Sequence, residues 1–304
     1  MAGPLQTTMF NGVTPFYPGV ATSSQRFDIA SSSYLTYTPS SATSATDRRK
    51  MTWSGWIKRN ALGVQQALYS ARKDTSGSDY FLIAFAAGDT LRVIFDVEDA
   101  NEGYESDAIY RDVGQWYHFC IIIDTTQSTD TNRLKVYVNG NLQEMDTLYS
   151  GGHVTQNFSV YAMDGGADYI SYFYAATALA SFQLSNVDIT FGQDNLISEF
   201  GETKNGIWIA KNYGGSYGGN GVKFKFDQVG VGTASSSTCG ADSSGNGNHW
   251  TSSGIEANDC NQPDSPENNF ATMNSLINGY GTNLTIAEGN LKASSSADEY
   301  NNTF

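Results

Sequence analysis

Cationic side chains are scarce in this chain of 304 residues: 17 Lys and Arg stand against 31 Asp and Glu, a formal charge of −14. Such a surface repels phosphate and anionic headgroups and gains nothing from counterion release, so neither nucleic acid nor an anionic membrane is expected as a partner. No apolar run approaches the roughly 20 residues that cross a bilayer, which excludes membrane insertion by a helix. The opening MAGPLQTTMFNGV has no basic stretch followed by an apolar one, so a secretory leader is not expected. Helix-periodic segments are nearly absent. The best candidate is QDNLISEFGE, with Asp194 as the cap and Gly201 as the stop. The three histidines, His118, His153 and His249, share no metal-ligand spacing with one another or with cysteine, so zinc is not expected. Of only three cysteines, Cys120 lies in an apolar run and reads as a small buried side chain. Cys239 and Cys260 flank a Gly/Ser/Asn-rich stretch: two unrelated thiols, or a disulfide that would constrain the unfolded loop by roughly 3 kcal/mol.

What the chain has is sheet. Aromatic residues make up 13%, with 31 Gly and only 6 Pro, a composition of short strands joined by turns. The class is all-β, with length enough for one large sandwich of roughly 200–250 residues and an appendage. In GQWYHFCIIIDTTQSTDTNRLKVYVNGNLQ, Trp116 to Ile123 is apolar or aromatic almost throughout, as a strand covered on both faces is. Leu134, Val136 and Val138 then alternate with wetter positions up to Asn139-Gly140, a tight hairpin turn. In KMTWSGWIKR, Met51, Trp53, Gly55 and Ile57 share the inward face, and Thr52, Ser54, Trp56 and Lys58 the other. Trp53, Phe81, Ile94, Phe119, Ile121, Val136 and Val138 are expected between two packed sheets.

Catalytic patterns are few. GGSYG resembles a nucleophile elbow, but Gly219-Asn220-Gly221 follows Ser216 where a helix is required, so a Gly-rich loop is the reading. Asp96 and Glu98 share a strand face but sit at a strand end without the third carboxylate that a sandwich glycosidase places beside them. No catalytic residue is assigned. Asp96, Glu98 and Asp99 read first as a solvated acidic turn; calcium is the alternative, since clustered oxygens suit a hard cation, and Asp242, Asn246 and Asn248 are a second oxygen cluster, neither being a complete ligand set. A sugar site needs aromatic faces beside polar edges, for which Tyr104, Tyr110 and Tyr149 are the candidates.

Three segments, YLTYTPSSA…RRKMTWSGWIKRN, GQWYHFCIIIDTTQSTDTNRLKVYVNG and FGETKNGIWIAKNYGGSYGGNGVKFKF, resemble the LamG-like (concanavalin A-like) jelly-roll proteins of tailed marine bacteriophages, and DSSGNGNHWTSSGI…DSPENNFATMN is similar to the segment that follows the jelly roll there. The resemblance covers about residues 30 to 275. It implies a two-sheet antiparallel jelly roll, calcium at one rim in many members, glycan binding in some, and a tail-fibre or other virion-associated role. Cys239 and Cys260 depart from the family, which favours a locally acquired disulfide. The organisation expected is an N-terminal arm (1–30), a jelly roll (31–200) and a partly irregular C-terminal extension packed on it (201–304). The functional expectation is a non-enzymatic fibre or adhesin on the outer surface of a virion, working as a homo-oligomer, attached to other virion proteins through the arm and presenting its loops to a host-surface glycan. A capsid or tail decoration protein without a ligand is the alternative, and a glycan depolymerase the third.

Overall fold

The computed structural model describes residues 15–73, 79–96, 102–173, 180–271, 273, 284–287 and 292–295. Its strands are β1 (Gln25–Phe27), β2 (Tyr34–Tyr37), β3 (Lys50–Arg59), β4 (Gln66–Arg72), β5 (Tyr80–Phe85), β6 (Thr90–Asp96), β7 (Glu102–Ile109), β8 (Tyr117–Asp124), β9 (Leu134–Val138), β10 (Asn141–Leu142), β11 (Met145–Thr147), β12 (Asp168–Ile170), β13 (Phe182–Phe191), β14 (Gly201–Lys204), β15 (Ile207–Ala210), β16 (Val222–Phe224), β17 (Thr251–Ser253), β18 (Leu284–Ala287) and β19 (Lys292–Ser295). One sheet runs β1-β13-β3-β8-β9-β10, with β16 also on β13; the other runs β11-β7-β6-β5-β4-β12-β2-β17. All pairings within both sheets are antiparallel. This is the two-sheet concanavalin A-like sandwich expected from the sequence.

Alternation sets the core. Trp53, Phe81, Phe119, Ile121, Val136 and Val138 meet between the sheets, and Phe85 and Phe119 pack edge to face across them with centroids 5.5 Å apart. Gly55 makes room for the Trp53 indole, which a Cβ there would meet at 2.8 Å. Trp53→Ala should cost about 3–5 kcal/mol. Ile94 is a correction. It lies opposite Leu82 and packs with Ala67 and Ala84 on the outer face, while Leu91, Val93 and Phe95 point inward. Val93-Ile94-Phe95 is apolar without a break, so period two alone does not give its phase.

The outer face of the first sheet is not wet. Thr52, Ser54, Trp56 and Lys58 on β3, and His118 and Cys120 beside them on β8, are all buried. Three segments cover them: residues 15–24, residues 195–221, and residues 256–270. The β14–β15 hairpin turns at Asn205-Gly206, both with positive φ (51° and 83°), and lays Trp208 over His118. Phe200, Tyr213 and Tyr217 cap Cys120, and burial pushes its thiol pKa up.

The expected organisation changes at both ends. Within the 1–30 segment, β1 is an edge strand on β13, and Ala21 and Phe27 are buried. The C-terminal extension completes both sheets as well as packing on them, since β16 pairs with β13 and β17 with β2. A 3-10 turn at Ile197–Glu199 replaces the expected helix. Asp194 does not cap it but pairs with Lys50, and Glu199 accepts from the Leu196 N–H at 2.7 Å.

Candidate binding cleft

Where the covering segments meet they leave a cleft of about 200 Å³. Trp56 comes from β3, Trp116 from the turn into β8, and Ile207, Trp208, Ile209 and Ala210 from β15; Tyr17, Gln115, Pro266, Glu267 and Asn269 complete it. Trp56 and Trp116 are buried, Trp208 is half-buried, and Tyr17, Gln115, Ile207 and Asn269 are exposed. The accessible part of the Trp208 indole, walled by Trp56 and Trp116, is a surface on which an apolar ring stacks.

The indoles are fixed from behind. Trp208 Nε1 donates to His118 Nδ1 at 3.1 Å, so the proton of the neutral ring sits on Nε2, 2.9 Å from Ser54 Oγ. Burial holds the His118 pKa down to about 3, so the ring stays neutral and remains an acceptor for Trp208. Its ring also packs against Trp56, with centroids 5.0 Å apart. Trp116 Nε1 donates to Asp264 Oδ1 at 3.2 Å.

The acidic groups here are committed. Glu267 accepts from the backbone N–H groups of Gly19, Val20 and Ala21 at 2.8, 2.7 and 2.9 Å, which ties the N-terminal segment to the C-terminal one. Asp264 is buried and pairs with Lys58 at 2.9 Å. Glycoside hydrolysis asks for two carboxyls free to act as acid and as base or nucleophile, roughly 5–9.5 Å apart across the bond. The cleft's one carboxylate, Glu267, holds three structural hydrogen bonds.

The residues singled out in the sequence lie elsewhere. Tyr104 and Tyr110 face the core, and burial pushes the pKa of both up to about 12. Tyr104 Oη accepts from the Val154 N–H at 2.8 Å, and the Tyr110 ring packs on Phe119 at 4.9 Å. Neither offers a face to a sugar, because their strand positions point inward. Tyr149 is half-buried across Gly103, on the outer face of the second sheet.

The Asp242 loop is a hydrogen-bonded knot and not a calcium cradle. Asp242 accepts from the N–H groups of Lys223, Ser244 and Asn248 and from Ser244 Oγ, at 2.8–3.0 Å. Asn246 and Asn248 donate to carbonyls of the 218–221 loop, and Asn248 Oδ1 accepts from Tyr37 Oη. With the Asp242 carboxylate and Asn248 Oδ1 so engaged, the three residues do not offer a calcium ligand set. Asp96 ends β6 next to Tyr80, and burial raises its pKa; Glu98 and Asp99 lie outside the described residues. Among the described residues, no group of three or more His, Cys, Asp or Glu side chains could hold a metal ion. Cys239 and Cys260 do come together: both are buried free thiols in hydrogen-bonding contact, adjacent where a bridge was expected but not joined. Ser216 lies in an exposed loop, as read.

Comparison with known proteins agrees with this fold. Residues 30–190, more than half of the chain, match the family described as the Concanavalin A-like lectin/glucanases superfamily. The chain belongs to that family. Similar solved structures include a putative carbohydrate binding protein from Bacteroides ovatus (14% identity, TM-score 0.47, covering 77% of this chain and 59% of that one). A heptameric SAP-like pentraxin from Limulus polyphemus is another (14%, TM-score 0.38, 58% and 77%). Domains LG4-5 of the mouse laminin alpha1 chain are a third (13%, TM-score 0.41, 61% and 47%). The chain thus spans less than two thirds of the Bacteroides protein and less than half of the laminin fragment. No curated protein matches it in sequence.

No single motif announces the cleft, because its walls come from five separate stretches. The signal available was that Trp56, Trp116 and His118 share the outward phase of two adjacent strands, where bulky aromatics call for a cover.

Proposed function

We propose that the protein is a non-enzymatic, lectin-like component of a virion's outer surface that takes a neutral host-surface sugar into the tryptophan cleft. The observation that carries this reading is the cleft itself: three indoles with Gln115 and Asn269 at its edge, and no free carboxylate. A pyranose stacks its apolar face on an indole and satisfies its hydroxyls at polar edges. No lining residue is cationic and one is acidic. An anionic sugar would therefore find repulsion and no partner. The virion role is supported by the resemblance of the strand and turn segments to phage jelly-roll proteins. In that setting many copies on one particle turn weak sites into an avidity gain of about 10²–10⁴.

The test is binding of neutral oligosaccharides, followed by titration calorimetry and by quenching of tryptophan emission. Tyr17→Ala and Gln115→Ala, both at exposed positions, should each weaken binding by roughly fivefold, about 1 kcal/mol, and leave the fold intact. No neutral sugar bound at millimolar concentration, with the protein still on the particle, would favour a decoration protein without a ligand. Release of reducing ends from a bound polysaccharide would overturn the non-enzymatic reading.

A further inference from the structure

Lys58 lies in the middle of an outer sheet face and is completely buried. Its Nζ has three neighbours: Asp264 Oδ2 at 2.9 Å, Asn269 Oδ1 at 2.8 Å and the Phe270 carbonyl at 2.7 Å. A buried ammonium is costly, and one acidic partner with two carbonyl oxygens satisfies it. The same geometry does something else. It holds an amine against the carboxamide of an asparagine, with a carboxylate touching the amine.

That carboxamide is itself held. Asn269 Nδ2 donates to the Gly114 carbonyl at 3.0 Å, which fixes the plane of the amide while Oδ1 faces Lys58. Asp264 is 5% exposed and accepts on Oδ1 from Trp116 Nε1 and from the Phe270 N–H, both at 3.2 Å. Its other oxygen is left for Lys58. Amine, amide and carboxylate are thus each constrained from a second side, and confinement of this kind replaces the collision that slows the same reaction in solution.

We infer that Lys58 and Asn269 join in an intramolecular isopeptide bond, with Asp264 as proton carrier. The Lys58 ammonium passes a proton to Asp264, and the neutral amine attacks Cγ of Asn269. The new C–N bond forms as the carbonyl π bond opens. The nitrogen of the adduct gives a proton to Nδ2, the carbonyl re-forms, and the Cγ–Nδ2 bond breaks. Ammonia leaves and takes the proton held by Asp264, so that ammonium is the by-product and the carboxylate is restored. Atoms and charge balance with no oxidant, metal or co-reactant. Asn269 is exposed and lines the cleft, which gives the ammonia a way out. The bond would fasten the C-terminal end of β3 to the C-terminal segment that walls the cleft, across 211 positions of sequence. It does not depend on the ligand proposed above.

The experiment is the intact mass of the full chain after denaturation, followed by proteolysis and fragmentation. The expected result is a deficit of one ammonia against the sequence mass, and a branched peptide joining the Lys58 and Asn269 fragments. Lys58→Arg and Asn269→Ala should restore the full mass expected of each sequence, and Asp264→Asn should slow or abolish the cross-link. Because the parent protein alone decides the matter, a variant that fails to fold does not obscure the outcome. A parent at full mass, with Lys58 open to an amine-reactive reagent once unfolded, would reduce the cluster to an ion pair. Loss of ammonia with no branched peptide, as in succinimide formation at an asparagine, would overturn the proposal equally.

Discussion

Replacing Asp168 with Asn should give the protein an acid-labile stability profile that the parent hides. Two buried groups act in opposite directions. His118 is held at a pKa of about 3 by burial, against an ordinary 6.5. Between those values the unfolded chain binds one proton more than the folded one, so the stability tied to the neutral ring is complete above pH 6.5 and is lost as pH falls towards 3. Asp168, between Tyr69 and the Met163 N–H, is pushed by burial up to about 7 from an ordinary 3.8. The stability tied to its protonated carboxyl is complete below pH 3.8 and is lost as pH rises through 7. In the shared window of 3.8 to 6.5 each contributes a slope of about 1.4 kcal/mol per pH unit, with opposite sign, and the two cancel. Asp168→Asn keeps an amide oxygen for its donors and removes one of the titrations. Its stability should therefore rise with pH across that window relative to the parent, whereas that of His118→Gln should fall. The two profiles should diverge by about 3 kcal/mol per pH unit, a large share of a typical domain's stability. Urea unfolding followed by tryptophan emission, at about pH 4.5 and about pH 6, measures the divergence. Surface carboxylates add the same background to all three proteins. Parallel profiles would refute the reasoning, since neither group would then titrate in the fold as its burial requires.

Gly201→Ala would set a Cβ 2.3 Å from Trp208 Cζ2, so the indole should leave His118, at a cost of roughly 1–3 kcal/mol and with lost cleft affinity. An unchanged emission spectrum and melting temperature would contradict this. Because the Cys239 and Cys260 thiols already touch, a small-molecule disulfide should close a bridge between them and add about 3 kcal/mol of stability. Three alkylatable thiols in the unfolded chain after that treatment, where the bridged protein leaves only that of Cys120, would count against it. Deletion of residues 1–25 should lower the melting temperature sharply, since it removes Ala21, the Ser24–Gln262 backbone pair and all three donors to Glu267. Deletion of residues 1–14 is the cleaner test of an attachment arm: a normal melting temperature with loss from the particle is the expected pair of results.

The sandwich was legible because its central strands carry their own phase. Met51, Trp53, Gly55 and Ile57 alternate with polar neighbours, and Leu134, Val136 and Val138 do so up to a turn that only Asn-Gly-like pairs make easily. Phase was lost where an apolar run was unbroken, as at Val93-Ile94-Phe95. Tyr104 and Tyr110 were misread for a related reason: an acidic neighbourhood in sequence implied solvent, but Glu102 and Ser106 on the same strand are themselves buried. The cleft escaped because its residues are united only by the three covering segments, and nothing local to Tyr17, Trp116 or Asn269 encodes that convergence. The covering layer also explains where the chemistry lies. A polar side chain on the outer face of an ordinary sandwich keeps its water, but under a second layer Lys58, His118 and Asp188 must each find partners within a few ångströms. They do so with Asp264 and Asn269, with Ser54 and Trp208, and with Tyr217 and Lys223. Sealing the sheet forces donors, acceptors and an amine into fixed contact, so the interface between jelly roll and extension holds both the cleft indoles and the lysine–asparagine pair.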